Sequence, residues 1–253
     1  MAVPLKTMKM PMPTTLKDSL SLRRALAAAS ISFAALACAA APAAPKAPPP
    51  GPLADFGSTP VSPGVREVAN WAFYTHDNHG RAVVILDKHA ATVYAFAPGG
   101  RLVANAPVLL GLTVGDDTPA GVGDKPLSEI PEDQRTTPAG RFVAHAGEDD
   151  SGVDVVWIDY KAAVAMHRVI TTYPAQRRLE RLASPNARDR RISWGCINLP
   201  VSFYEKVLSP TVRDTGAIVY VLPETRSPRE VFGSWDVTDP QAHPPARKEH
   251  VQG

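Results

Sequence analysis

Cysteine is scarce in this chain: two in 253 residues, Cys38 and Cys196. That excludes a disulfide-dense secreted scaffold and any zinc site of the multi-cysteine type. Charge of one sign is lacking as well. Lys and Arg number 27 against 25 Asp and Glu, a formal net of +2, so no face-wide basic excess is available to hold a nucleic acid. Apolar residues, by contrast, reach 44%, which excludes a wholly disordered chain. The length allows one large domain or two small ones with a real core. Eleven of the 26 prolines fall in residues 1–63, so the fold is expected to begin after them.

Residues 1–24 carry Lys6, Lys9, Lys17, Arg23 and Arg24 against one acid, Asp18, and an apolar run follows over 25–41. A positive flank, a short apolar core and small residues beyond predict a signal peptide over 1–45 and export to the periplasm or cell envelope. The run is short and alanine-heavy for a membrane span. Cys38 ends it in Ala35-Leu36-Ala37-Cys38, which resembles the lipobox of bacterial lipoproteins. Acylation there would anchor the protein to the membrane; simple cleavage at a nearby Ala-x-Ala site is the other reading. Residues 46–63, rich in Pro and Ala, read as an extended spacer. Without residues 1–45 the chain keeps 22 basic and 24 acidic residues, a formal net of −2.

One domain is expected over residues 64–235, with a flexible tail over 236–253. Ser62-Pro63 followed by Val65, Val68, Ala69 and Ala72 predicts a capped amphipathic helix ending near Tyr74. Short β-branched and aromatic runs at 81–87, 92–97 and 101–110, parted by Lys88-His89 and Pro98-Gly99-Gly100, predict an antiparallel meander. Residues 111–138 read as a long functional loop. Strands follow at 141–146, 153–160, 162–170 and 216–222, with helices at 174–184 and 200–208, the second carrying Pro200 in its first turn. The fold class is therefore mainly β with short helices, a sandwich or barrel rather than a doubly wound α/β sheet.

Chemistry concentrates in Ser193-Trp194-Gly195-Cys196-Ile197-Asn198-Leu199-Pro200. Once residues 1–45 are removed, Cys196 is the one thiol left. Gly195 lets the backbone approach a substrate closely, and neighbouring amides could face a developing oxyanion. A thiol needs a lowered pKa or a nearby base to attack at neutral pH, and His167 lies in an upstream strand. A buried structural Cys with a satisfied strand His is an equally open reading at this point.

Ser193-x-Gly195-Cys196-Ile197-Asn198 with an upstream His resembles the signature of L,D-transpeptidases, the YkuD-like catalytic domain. Thr137-Pro138-Ala139-Gly140-Arg141-Phe142 is similar to the Thr-Pro-x-Gly-x-aromatic segment that precedes a strand in that family, and the likeness covers roughly residues 81–223. The resemblance implies Cys196 as the acylated nucleophile and His167 as the base. It implies oxyanion-hole amides from Gly195 and Cys196, with Ser193 and Asn198 lining the site. Trp194 stands where the family commonly has His and would offer a stacking wall. Arg168 stands where Gly or Ser often follows the base, and the segment between His167 and Ser193 is longer than usual.

The implied reaction is transfer of a peptidoglycan stem-peptide acyl group through a Cys196 thioester to an amine, with no metal or organic cofactor. Two alternatives stand beside it. The first is a stem-peptide carboxypeptidase or amidase, which the long segment would favour by leaving the site open to water; the second is an inactive wall-binding module. Arg188, Arg190 and Arg191 could clamp a stem carboxylate, or form a solvated charged loop. His76 and His79 read as loop residues rather than metal ligands, and His145 as a strand residue. Thr118-Pro119-Ala120-Gly121 reads as turn chemistry. Nothing in the pattern indicates an oligomeric state.

Overall fold

The computed structural model describes residues 49–242. The expected signal peptide, Cys38, residues 46–48 of the spacer and residues 243–253 of the tail lie outside the described residues. Helix α1 (Pro63–Tyr74) starts as its cap signal predicts, with the Ser62 hydroxyl accepting the Val65 N–H at 3.3 Å. Its stripe of Val65, Val68, Ala69, Ala72 and Phe73 is buried.

Strands β1 (Ala82–Asp87), β2 (Thr92–Phe96) and β3 (Leu102–Pro107) form the expected antiparallel meander. The apolar run over 101–110 does not make one strand. Pro107 has no N–H to continue a ladder, so β3 stops there and β4 (Leu110–Gly111) starts a separate pairing. After three short 3₁₀ turns come β5 (Gly140–Glu148), β6 (Asp154–Asp159) and β7 (Val164–Arg168), then α2 (Arg178–Ala183), β8 (Arg191–Ser193), β9 (Ile197–Leu199) and β10 (Ala217–Val221).

Eight strands join in the order β3-β2-β1-β10-β5-β6-β7-β9, and β4 pairs with β8 in a small second sheet. Backbone bonds of 2.9 Å in both directions between Leu109 and Asn198 bring β9 back to the chain leaving β3. The result is a mainly β, nearly closed, barrel-like sheet with short helices. Local pattern does not reveal that β10 inserts parallel to β1, because that pairing joins residues far apart in sequence.

All six residues of β1 are buried because both its faces are covered. Val84 and Leu86 join Val93, Val156, Met166, Ile197, Leu199 and Val219 in the inner core, while Val83 and Ile85 pack with Tyr94, Tyr220 and α1. Fully burying such side chains stabilises by roughly 1.5–3 kcal/mol each.

The helix expected over 200–208 is longer and irregular: α3 (Val201–Phe203), a π turn over Tyr204–Leu208, then α4 (Ser209–Val212). Pro200 caps it rather than entering its first turn. Pro210 cannot donate and its ring would crowd the Lys206 carbonyl, so a wider turn, with the Ser209 N–H on the Tyr204 carbonyl, precedes it. A final short helix, α5 (Pro228–Phe232), carries a capping box from Ser227 and Glu230. That Ser-Pro-Arg-Glu signal was readable in the sequence.

Candidate active site

The parallel pair β7–β9 sets the site. Its register places Met166 beside Ile197, His167 beside Asn198 and Arg168 beside Leu199. Side chains alternate along a strand, so Met166, Ile197 and Leu199 enter the inner core while His167 and Asn198 share the outer face. Cys196, one residue before Ile197, falls level with Ala165 on that same outer face, diagonal to His167. The topology thus brings the expected nucleophile and base onto neighbouring strand positions.

His167 Nδ1 lies 2.7 Å from the Arg168 carbonyl. A carbonyl only accepts, so Nδ1 carries the proton and Nε2 keeps a free lone pair. The Cys196 thiol donates to the Ala163 carbonyl at 3.5 Å. The Arg168 side chain does not intrude on this face. It turns to the other side, paired with Asp154 at 2.8 Å and Glu205 at 3.2 Å and lying over the Tyr204 ring.

The turn before Cys196 is held from several sides. Gly195 has φ +133°, and a Cβ there would lie 2.9 Å from the Thr136 carbonyl oxygen, so the position requires glycine. The Gly195 carbonyl accepts from the Thr137 hydroxyl at 2.8 Å, and Thr137 accepts the Gly111 N–H at 2.9 Å. The Ser193 hydroxyl donates to the Cys196 carbonyl at 2.6 Å and accepts the Gly195 N–H at 3.2 Å. The Gly195 amide is therefore engaged within the turn by the Ser193 hydroxyl. Asn198 is fully buried; its side chain donates to the Cys196 carbonyl at 3.4 Å and accepts from Arg178 at 2.6 Å. Ser193 and Asn198 both hold the backbone around Cys196.

Burial pushes the Cys196 thiol above its usual 9.0, opposed by the Ala165 amide, the Arg178 charge and its own amide. Burial likewise pulls His167 below its usual 6.5, with the Arg168 carbonyl and Asp149 opposing and Arg178 adding to the decrease. Both shifts favour the uncharged forms, a thiol and a neutral imidazole, at neutral pH.

Arg191 is not free for a ligand. Its guanidinium pairs with Glu224 and donates to the Lys88, Gly111 and Thr113 carbonyls. Arg190 donates to the carbonyls of Ser184, Ala90 and Ala91, while Arg188 is exposed. Two of the three arginines expected to clamp a carboxylate are therefore structural, because their guanidinium donors are already engaged. The cation beside the nucleophile turn is Arg178, 6% exposed. Its signal was its place on the helix between His167 and Ser193; which face of that helix meets β9 was not readable. Within that segment Arg178 and Leu182 are buried, while Tyr173 and Leu179 are exposed.

Trp194 lies under the Arg135 guanidinium at 5.2 Å. His76 and His79 occupy the turn after α1, both with positive φ, and His145 is exposed on β5. Pro119 and Gly121 shape a 3₁₀ turn, as their string predicts. Among the described residues no group of three or more His, Cys, Asp or Glu is placed to hold a metal, and no helix is long and apolar enough to cross a membrane. A cavity of about 440 Å³ between residues 55–59 and 101–105 contains no thiol or imidazole.

No family model and no curated protein matches the chain. Solved structures similar to it include a variant of the helical cell shape determining protein Pgp2 from Campylobacter jejuni, at 15% identity and TM-score 0.39. That likeness covers 58% of this chain and 48% of that one. An L,D-transpeptidase from Xylanimonas cellulosilytica is similar at 16% identity and TM-score 0.33, over 56% of this chain and 60% of that one. The catalytic domain of the E. faecium L,D-transpeptidase is similar at 17% and 0.30, over 56% and 95%. The chain thus spans less than two thirds of the first two.

Proposed function

We propose that the chain is an exported cysteine acyltransferase of the bacterial cell wall, an L,D-transpeptidase acting on peptidoglycan stem peptides. The observation that carries this is the shared outer face of Cys196 and His167, with Nδ1–H of His167 fixed on the Arg168 carbonyl. A thiol, the one cysteine among the described residues, at the start of the strand next to an imidazole whose Nε2 has no partner among them supports acyl transfer through a thioester.

The steps follow from those atoms. Cys196 Sγ attacks the carbonyl of a bond between an L-centre and a D-centre as its proton passes to Nε2 of His167. The C–N bond breaks, the imidazolium protonates the leaving amine, and a thioester remains. An acceptor amine then attacks the thioester and gives its proton to Nε2. The new amide forms and the sulfur leaves as thiolate, which takes the proton back.

Intact-mass analysis after exposure to a carbapenem is expected to show one covalent adduct, absent in Cys196→Ala. Tetrapeptide muropeptides are expected to yield crosslinked dimers, absent in His167→Gln. No adduct together with no thiol labelling at Cys196 overturns the reading. Shortened monomers without dimers make the enzyme a hydrolase with the same pair.

A further inference from the structure

Arg178 is a buried guanidinium with no acidic partner among the described residues. Nη1 donates to Asn198 Oδ1 at 2.6 Å and Nε to Gln176 Oε1 at 2.6 Å, both neutral acceptors. Nη2 makes no hydrogen bond to a described residue. The acid nearest in sequence, Glu180, is engaged on the surface by Arg177. Buried charges are ordinarily paired, because an isolated one is costly to remove from water. Here the counter-charge has to arrive from outside.

The structure leaves room for it. A cavity of about 230 Å³ is lined by Thr171, Tyr173, Arg177, Arg178, Leu179 and Glu180. Tyr173 and Leu179 are exposed at 52% and 58%, so apolar surface stands beside the cation. Along the common direction of β7 and β9, Cys196 lies level with Ala165, and His167 and Asn198 follow two residues on. Arg178, bonded to Asn198, lies on the His167 side of the sulfur. That is the side on which His167 must deliver a proton to the leaving amine. If that amine belongs to a chain-terminal residue, its carboxylate lies one residue past the scissile bond.

We propose that Arg178 and this cavity form the subsite for the terminal carboxylate of the acyl donor, the group that departs with the leaving amine. The inference rests on the reading of Cys196 and His167 given above. It assigns donor selection to Arg178: a donor ending in a free carboxylate immediately after the scissile bond completes a buried ion pair, and a capped donor leaves the guanidinium unpaired.

Binding to Cys196→Ala protein, measured by calorimetry, separates recognition from turnover. The probes are a stem tetrapeptide ending in a D-Ala carboxylate and the same peptide with a terminal carboxamide. The acid is expected to bind at least about tenfold tighter than the amide, since a charge-assisted hydrogen bond contributes roughly 1.5–3 kcal/mol. In Cys196→Ala/Arg178→Gln the two are expected to bind alike, at the affinity the amide has for Cys196→Ala. Arg178→Lys in the same background is expected to restore part of the preference. Equal binding of acid and amide to Cys196→Ala overturns the subsite, as does an Arg178→Gln change that weakens both peptides equally, or no binding of either. Wild-type protein acylated equally by both donors keeps the transferase reading and removes the subsite. An acid preference in binding without any thioester does the reverse.

Discussion

The Thr137 hydroxyl donates to the carbonyl of Gly195, the residue before Cys196, at 2.8 Å. Thr137 is 1% exposed and also accepts the Gly111 N–H, while its own carbonyl accepts from Lys88 at 3.0 Å. The Thr137-Pro138-Ala139-Gly140 segment thereby acts as a clamp on the Cys196 turn. Thr137→Val keeps the shape and removes the hydroxyl, leaving two buried backbone groups unpaired. The expected loss is about 2 kcal/mol of stability in urea melts, with slower acylation of Cys196 by a carbapenem. Thr137→Ser is expected to retain most of both.

The titration of the pair predicts a pH profile. Burial first, and Arg178 next, hold His167 below its usual 6.5, and burial holds Cys196 above its usual 9.0. General-base attack needs neutral imidazole, so the acid limb of the acylation rate is expected below pH 6.5. Iodoacetamide labelling of the free protein at pH 7 is expected to be slower than for an unstructured thiol. An acid limb centred above pH 6.5, or rapid labelling, points instead to a preformed thiolate–imidazolium pair. The same shift has a sign for stability. Unfolded His167 takes up its proton at higher pH than folded His167, so stability falls as pH drops below 6.5. His167→Gln is expected to remove that slope.

A buried charge cluster stands behind the clamp. Lys88 pairs with Asp116 at 3.1 Å and with Glu224 at 3.5 Å, all three side chains being at most 2% exposed. Burial works against the charged Asp116 carboxylate, but the Thr225 hydroxyl, the Glu224 and Thr225 amides and Lys88 outweigh it and hold the carboxyl well below its usual range. A carboxyl depressed in the folded state stabilises above its unfolded pKa, and that contribution is lost as pH falls through the folded value. Below about pH 4 stability is therefore expected to drop in wild type, and the drop to be smaller in Asp116→Asn. At pH 7 that variant is expected to lose about 3 kcal/mol, since it leaves the buried Lys88 with Glu224, at 3.5 Å, as its remaining acidic partner. Chemical denaturation at the two pH values checks both.

How much of this was legible follows from the range of each signal. Local signals were readable: Ser62 capping α1, the meander 82–107, and the Gly195-Cys196 turn. Strand alternation along β7 and β9 also acts over a few residues, so the string around Cys196 and the strand carrying His167 could be picked out, though not that the two strands adjoin. The partners of Arg191 and Arg178 were not readable. Both lie in one basic segment, and nothing in residues 177–191 says which guanidinium meets Glu224, thirty-three residues on, and which meets Asn198. The engagement of the Gly195 amide by Ser193 was not readable for a related reason. Ser193 could have faced a substrate, but a serine two residues before an amide can also accept from it, and only the turn geometry decides.

Trp194 carries the last prediction. Its Nε1 is buried with no hydrogen-bond partner among the described residues, while its ring face meets the Arg135 guanidinium at 5.2 Å. The stacking wall expected at this position is thus occupied by a cation of the same chain. An unpaired buried donor costs about 1–3 kcal/mol, and a cation over an aromatic face stabilises by about 0.5–1 kcal/mol where water reaches it. Trp194→Phe deletes the unpaired N–H, which favours the variant, but its smaller ring leaves a void beside Arg135, which opposes it, so the two changes nearly cancel. It is expected to lie within about 0.5 kcal/mol of wild type in denaturant melts, a change no larger than that of an ordinary surface substitution. Trp194→Ala loses the ring, the packing and the cation contact, and is expected to cost about 2 kcal/mol. If Trp194→Phe costs as much as Trp194→Ala, the indole N–H is hydrogen-bonded in solution and the wall is held by that bond rather than by Arg135.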